Sequence, residues 1–386
     1  SSSGSFPSGP PRECSHIGPR AAMAPDGGCV RIQFCSDVHL EMPLMTGRFA
    51  QNLAACAAVS EGRDADDAGA DAAGGPGVLP RACEGAYLAL LGDIFDGSKV
   101  RSGAYREFLL RQAPGFEAVF ILAGNHEFYR AEYAAGKAAL TALCEEVTRE
   151  LGGKPAVHFL DCERVDLPDT NIRVLGCTLW SHVTEEQAQA VGSSISDYMA
   201  ISVRPADGPR DGPPAESRGL DAEAAAPKPR RKDAAVVADT NAWHRRELAW
   251  LEGELAEAEA DGRRCVVLTH HAPTFHEACP PEHRTSPVRT AFCTSLERLL
   301  RPPVAAWLYG HTHWSVCQCF RLPPDGAAEG GGRWSRLEAE LDERGSAACS
   351  AAEREVLVAS NQLGYGTGEH LRASCRPSLL LELPAD

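Results

Sequence analysis

The chain lacks any apolar run approaching the ~20 residues needed to span a bilayer. Its first thirty residues, rich in Ser, Pro, Gly and Arg, contain no apolar leader segment. Both absences argue against a membrane protein and against a secretory signal. Paired cysteines are lacking as well: the fifteen Cys are scattered with no Cys-x-x-Cys, so a zinc-finger reading has little support. Cys35, Cys177 and Cys265 lie inside apolar runs and read as small buried hydrophobes. Cys317 and Cys319, one residue apart, would share one face of a strand. A reducing, cytoplasmic setting is expected.

Aromatic residues make up only 6%, and basic residues are outnumbered, 38 Lys and Arg against 53 Asp and Glu, for a formal charge of −15. An acidic chain without an aromatic-interleaved basic groove is a poor partner for nucleic acid or anionic membrane. A local metal site could still attract a phosphate, because bound cations dominate the nearby field.

What is present fits a globular protein. The 386 residues are 44% hydrophobic and 24% charged, enough for a sizeable core. The reading is a disordered segment over 1–28, then a single catalytic domain over 29–386 with low-complexity insertions near 60–83, 204–237 and 323–354. The insertions are where protein partners would bind. The basic run Pro229-Arg230-Arg231-Lys232 reads as a solvated loop before it reads as an import or partner patch.

Short apolar runs predict strands at Val30–Cys35, Tyr87–Leu91, Ala118–Leu122, Ile172–Cys177, Cys265–Thr269, Ala305–Tyr309, Val356–Ser360 and Ser378–Leu383. Their continuous apolar character suits strands covered on both faces. Leu140, Leu143, Val147 and Leu151 recur at helical spacing and end at Gly152-Gly153. Asn241 is read as the cap of a helix carrying Leu248, Leu251 and Leu255, and His244, beside Arg245 and Arg246, as a surface residue. Strands alternating with helices give an α/β layered fold.

Five of these strands run directly into polar clusters: Asp37-Val38-His39, Gly92-Asp93, Gly124-Asn125-His126-Glu127, His270-His271 and Gly310-His311-Thr312-His313. Any one cluster could be a turn or cap. Five together point to one crevice at the carboxyl ends of the strands. On strand-like backbone, Asp-x-His and His-x-His would each aim both side chains one way. Carboxylate, imidazole and amide ligands without thiolate suit Mn, Fe or Zn in an open site. Seven ligands exceed one tetrahedral ion and suit two ions sharing a carboxylate, about 3.5–4 Å apart.

This motif series resembles the calcineurin-like metallophosphoesterase superfamily. The resemblance runs from about Val30 to the C-terminus, outside the insertions. It implies two β-sheets in a layered sandwich flanked by helices. It also implies a dinuclear centre in which Asp37, His39 and His313 hold one ion, Asn125, His270 and His311 the other, and Asp93 bridges. The activity implied is hydrolysis of a small phosphomonoester or phosphodiester by in-line attack of a metal-bridging hydroxide. His126 is the candidate general acid for the leaving oxygen, or else a residue that orients the ligands. His271, beside His270, is the alternative ligand at that position.

Gly176 to Trp180, Asp197-Tyr198, Thr269 to Pro273, Ser360-Asn361 and Gly364-Tyr365 look like a narrower branch of largely uncharacterised cytosolic members. Asp96 is followed by Gly97 where serine/threonine protein phosphatases carry a phosphate-gripping Arg, and it stands where purple acid phosphatases carry a Tyr ligand. Neither subfamily's chemistry is expected. The competing functions are a non-catalytic scaffold of the same fold that binds protein partners and, further off, a nuclease.

Overall fold

The structure is a computed structural model describing residues 28–42, 79, 81–203, 233–322, 332–336, 340–341, 347–349, 355–364 and 378–386. All but Gly28 of the expected disordered segment over 1–28, and most of the expected insertions, lie outside the described residues.

The strands in chain order are β1 Cys29–Cys35, β2 Tyr87–Leu90, β3 Ala118–Ile121, β4 Ala131–Glu132, β5 Ala156–Phe159, β6 Glu163–Asp166, β7 Ile172–Cys177 and β8 Ile201–Ser202. There follow β9 Arg264–Thr269, β10 Val304–Tyr309, β11 Val316–Arg321, β12 Arg333–Arg336, β13 Glu340–Leu341, β14 Ala347–Cys349, β15 Glu355–Ser360 and β16 Leu380–Pro384. They form two seven-stranded sheets, in the orders β13-β14-β16-β1-β2-β3-β5 and β12-β11-β15-β10-β9-β7-β6, with β4 and β8 a separate pair. All eight expected strands are present to within two residues at either end. The first sheet has a parallel centre of β1, β2, β3 and β5, the second one of β7, β9, β10 and β15.

The layering follows from strand period. Ile32, Phe34, Ala89, Leu91 and Phe120 of the first sheet meet Val174, Val266, Leu268, Ala306, Leu308 and Leu357 of the second in one apolar interior. The intervening residues face outward: Leu88, Leu90, Val119 and Ile121 pack with Tyr105, Phe108, Leu140 and Val147 of the helices Ala104–Gln112 and Tyr133–Glu150. On the other side Leu175, Val267, Trp307 and Val358 pack with Leu251 and Leu255 of the helix Val237–Ala260. Two sheets covered on both outer faces explain the continuous apolar strands: β3 and β10 are buried throughout. The α/β sandwich of two sheets flanked by helices is as expected.

Three local readings change. The helix Val237–Ala260 starts before Asn241, whose side chain instead accepts from Val183 N at 2.8 Å and donates to Val183 O at 3.0 Å. Asn241 therefore ties this helix to the β7 loop rather than capping it. His244 is buried, not exposed. Its Nδ1–H donates to Trp180 O, and burial pushes its imidazole down to about 4. Finally, residues 233–235 and 332–336, placed within insertions by composition, join the fold: Ala234 and Ala235 are buried, and β12 pairs with β11.

The polar edge is sealed between sheets. Parallel register places Cys35 beside Leu90, Leu90 beside Ile121, Cys177 beside Thr269 and Tyr309 beside Ser360, so the strands end together. Beyond them, backbone bonds cross from one sheet's loops to the other's: Ser36 N to Asn361 O at 3.0 Å and Gly364 N to Asp37 O at 3.0 Å. Asn361 Nδ2 adds a bond to Phe34 O at 2.7 Å.

Candidate metal centre

The loops after β1, β2, β3, β9 and β10 bring all seven candidate ligands to this edge, deeply buried except for His313. Among the described residues three groups of ligand atoms form, two of them from the candidate ligands, Asp37 with His39 and His313 and Asp93 with His270 and His311, and a third of His39 with Glu41 and His126; within each the atoms lie inside 4.8 Å of one another. In the first, His39 Nε2 is 3.3 Å from His313 Nε2, which is 3.3 Å from Asp37 Oδ1. In the second, His270 Nε2 is 3.6 Å from Asp93 Oδ2. Asp93 Oδ2 also lies 3.9 Å from His39 Nε2 and so stands between the triads. Asn125 joins through its Oδ1, 3.2 Å from His270 Nε2.

The backbone reaches this arrangement by an unexpected route. Asp37, His39, Asp93, His311 and His313 all have positive φ, between 50° and 70°. The Asp-x-His and His-x-His segments are therefore not strand-like, and the period-two argument does not apply to them. Left-handed backbone at a non-glycine residue costs roughly 1–2 kcal/mol, and such strain concentrates at functional sites. Among the described residues ten non-glycine residues have positive φ, and five are candidate ligands.

Glycines make the close approach possible. A Cβ on Gly124 would sit 2.1 Å from Asp93 Oδ1 and 2.7 Å from His270 Nε2. One on Gly310 would lie 2.8 Å from Asp37 Oδ2. Any side chain at either position would displace a ligand.

The hydrogen bonds orient lone pairs into the site. His270 Nδ1–H donates to Leu91 O at 2.8 Å, leaving Nε2 to face inward. Asn125 spends its amide hydrogens on Asp197 Oδ1 at 2.8 Å and Tyr129 Oη at 3.0 Å, which turns Oδ1 toward His270. His311 Nε2 is buried with no hydrogen-bond partner among the described residues. Two acceptor atoms at 3.2 Å, Asn125 Oδ1 and His270 Nε2, need a cation or proton between them. The donor set therefore fits divalent or trivalent cations bound by nitrogen and oxygen.

The charge balance is consistent. Burial opposes ionisation of Asp93, but His270 and His126 outweigh it and hold the carboxyl well below its usual range. Burial likewise opposes protonation of His270, and Asp93 overcomes it to raise the imidazole to about 9. A metal cation would take over that role of counter-charge for the carboxylates. His271 differs: its Nδ1 faces Thr178 O at 3.4 Å, and burial, then the neighbouring His270, push it well below the usual imidazole range.

His126 lies at the rim, with Nε2 4.0 Å from Asp93 Oδ2 and its ring stacked on Tyr129 at 4.2 Å. Asp96 is a helix cap, accepting from Ser98 N and Lys99 N, and stands apart from the ligands. His276, in the loop after the fourth motif, stacks on Trp334 at 4.6 Å away from the triads.

Three buried acids escaped the sequence reading. Glu127 accepts from Asp93 N at 2.9 Å, Gly124 N at 2.8 Å, Ile94 N at 2.9 Å and Phe95 N at 3.3 Å, locking the β2 and β3 loops together. Burial and the Asp93 charge push its carboxyl up to about 8, while four donors favour its ionised form. Asp197 fixes Asn125 and Tyr129. Glu41 sits between His39 and His126. Glu127 and Asp197 were quoted as motif members without a role; Glu41, two residues after His39, was visible as a further acid in the first cluster.

With the geometry set out, comparison with known proteins places it. Residues 30–165 match the model of the calcineurin-like phosphoesterase family. The matched segment is about a third of the chain. Three of the five loops, those after β1, β2 and β3, fall inside the matched segment. An uncharacterised protein of Acanthamoeba polyphaga mimivirus is 27% identical over 243 residues, covering 59% of this chain and 72% of the viral one. Among solved structures, the phosphopantetheinyl hydrolase of Mycobacterium tuberculosis aligns with a TM-score of 0.51 at 13% identity, over 93% of this chain and 98% of that one. At that identity the likeness is one of fold. Among the described residues no helix is long and apolar enough to cross a membrane.

Proposed function

We propose that this chain is a dinuclear-metal hydrolase of small phosphomonoesters or phosphodiesters, with residues 29–386 as one catalytic domain. Asp37, His39 and His313 would hold one ion, Asn125, His270 and His311 the other, and Asp93 both. The observation that carries this reading is the set of facing acceptors, Asn125 Oδ1 against His270 Nε2 and the unpartnered His311 Nε2, beside a buried carboxylate. His270 is assigned as the ligand over His271 because only its Nε2 faces Asp93 and Asn125.

When bound, the ions would neutralise charge on the phosphoryl oxygens and lower the pKa of water from 15.7 to about 7. The chain's own residues do the rest. Glu127 and Asp197 hold the β2 and β3 loops and the Asn125 amide in place. His126, at the rim with Nε2 toward Asp93 and Nδ1 toward Glu41, is placed to give a proton to the leaving oxygen. Mn, Fe and Zn fit the ligand set; a small phosphoester is the substrate class, and membrane and nucleic acid are not expected partners. The test is hydrolysis of 4-nitrophenyl mono- and diesters after Mn loading, against an Asp93→Asn variant. Hydrolysis lost in the variant supports the reading. A wild type that hydrolyses neither ester with Mn, Fe or Zn overturns it in favour of a non-catalytic scaffold.

A further inference from the structure

The five motifs leave one group at the centre unassigned. Glu41 follows the first cluster by two residues, and its side chain is nine-tenths buried. Oε1 lies 3.2 Å from His39 Nδ1 and 3.4 Å from His126 Nδ1. The other oxygen, Oε2, is buried and makes no hydrogen bond among the described residues. One carboxylate oxygen thus serves two imidazoles whose rings are 4.5 Å apart, edge to face. Each imidazole turns its opposite nitrogen inward: His39 Nε2 toward His313 and Asp93, His126 Nε2 toward Asp93.

We infer that Glu41 is a positioning residue that couples the first metal site to the proton donor by fixing the Nδ1–H of both His39 and His126. The inference rests on the hydrolase reading for its catalytic half and on geometry alone for its ligand half. A carboxylate accepting Nδ1–H leaves the His39 Nε2 lone pair free for a cation, the usual way an outer carboxylate sets a ligand's tautomer. The same oxygen fixes the His126 ring so that Nε2 is the atom presented to a leaving group. Because one oxygen faces both rings, a shift of one imidazole is felt by the other. The two other buried acids act elsewhere: Glu127 binds backbone N–H groups and Asp197 the Asn125 amide.

The experiment uses the full chain as Glu41→Gln and, as a second variant should that one misfold, Glu41→Asp. Mn titration reads the ligand half. Affinity at one of two sites should fall about 10–100-fold, with ¹⁵N shifts of His39 showing mixed tautomers in place of Nδ1–H. Turnover reads the donor half on phosphoesters ranging from 4-nitrophenol to alkyl leaving groups, with Mn kept saturating. The loss should approach about 10²-fold for alkyl leaving groups and be much smaller for nitrophenolate, which needs no proton. Unchanged Mn affinity with unchanged tautomers overturns the ligand half, and an equal loss across all leaving groups overturns the donor half. If the wild type binds Mn yet hydrolyses nothing, the hydrolase reading falls with the donor half, and the titration and tautomers still decide the rest.

Discussion

The two sheets contribute different chemistry to the shared edge. Loops of the first sheet supply Asp37, Asp93 and Asn125, with His39 and His126, and the buried acids Glu41 and Glu127. Loops of the second supply the imidazoles His270, His271, His311 and His313 and, between β7 and β9, the buried acid Asp197 that holds Asn125. The two triads built from the candidate ligands each draw on both halves, one taking two residues from the first sheet and one from the second, the other one and two, whereas Glu41, His39 and His126 group within the first half. The first half alone would be a cluster of buried carboxylates and the second a cluster of imidazoles pushed off their ordinary protonation, as His271 and His311 are. Each half makes sense only with a cation or the other half as counterpart, so bound metal should also clamp the sheets together.

The sharpest way to break this comparison is to remove the group that stands between the halves. Asp93→Asn should abolish hydrolysis and reduce metal content, read by turnover and elemental analysis; full activity would mean that the halves do not meet there. Next in size, His126→Ala should lower turnover about 10²–10⁴-fold while leaving both ions bound. A near-normal rate on a poor leaving group would remove its acid role. Within the second half, His270→Ala should empty one site, whereas His271→Ala should leave two ions bound; the reverse pattern would exchange their roles.

Metal removal is expected to act on stability as well as rate. With metal at a thousand times its Kd, a site that exists only in the folded state adds about 4 kcal/mol. Chelation should lower the urea midpoint accordingly, and an unchanged midpoint would deny that the ions clamp the sheets.

The smallest effect lies away from the edge. Glu247, fully buried on the helix Val237–Ala260, accepts from Trp180 N at 3.3 Å and Tyr133 Oη at 3.4 Å. Burial raises its carboxyl from 4.5 to about 7, with Asp161 adding to the rise and Lys137 and Arg246 opposing it. Between those values the folded state holds the proton more tightly than the unfolded one. Its contribution is therefore complete below 4.5 and is lost as pH rises through 7, at most about 3 kcal/mol. Urea melts at about pH 5 and about pH 8 should show that decline in the wild type and a flatter profile in Glu247→Gln. Equal slopes would place the titration elsewhere.

The difference between the halves also explains what could be read in advance. The eight strands were legible because sheets covered on both faces demand unbroken apolar runs. The ligand clusters were legible because each such run ends abruptly in Asp, Asn or His. Edge strands were not: Glu163–Asp166 is mostly exposed and reads as polar. The conformation of the ligands was also hidden, since αL backbone at Asp37 and His313 belongs to loops held by bonds distant in sequence, Gly364 N to Asp37 O and His313 N to Gln362 Oε1. Asn241 and His244 were misplaced because both answer to the loop after β7, which helical periodicity cannot report. Asp197, 72 residues from Asn125 in sequence, acquires its role only through the fold.

The central claim is that both halves close on two ions with Asp93 between them. A crystal structure of the Mn-loaded protein, with anomalous scattering to place the metal, tests it most directly. The account predicts two peaks about 3.5–4 Å apart, both touching Asp93, one bordered by Asp37, His39 and His313 and the other by Asn125, His270 and His311. A single peak, or two peaks of which only one touches Asp93, would contradict it.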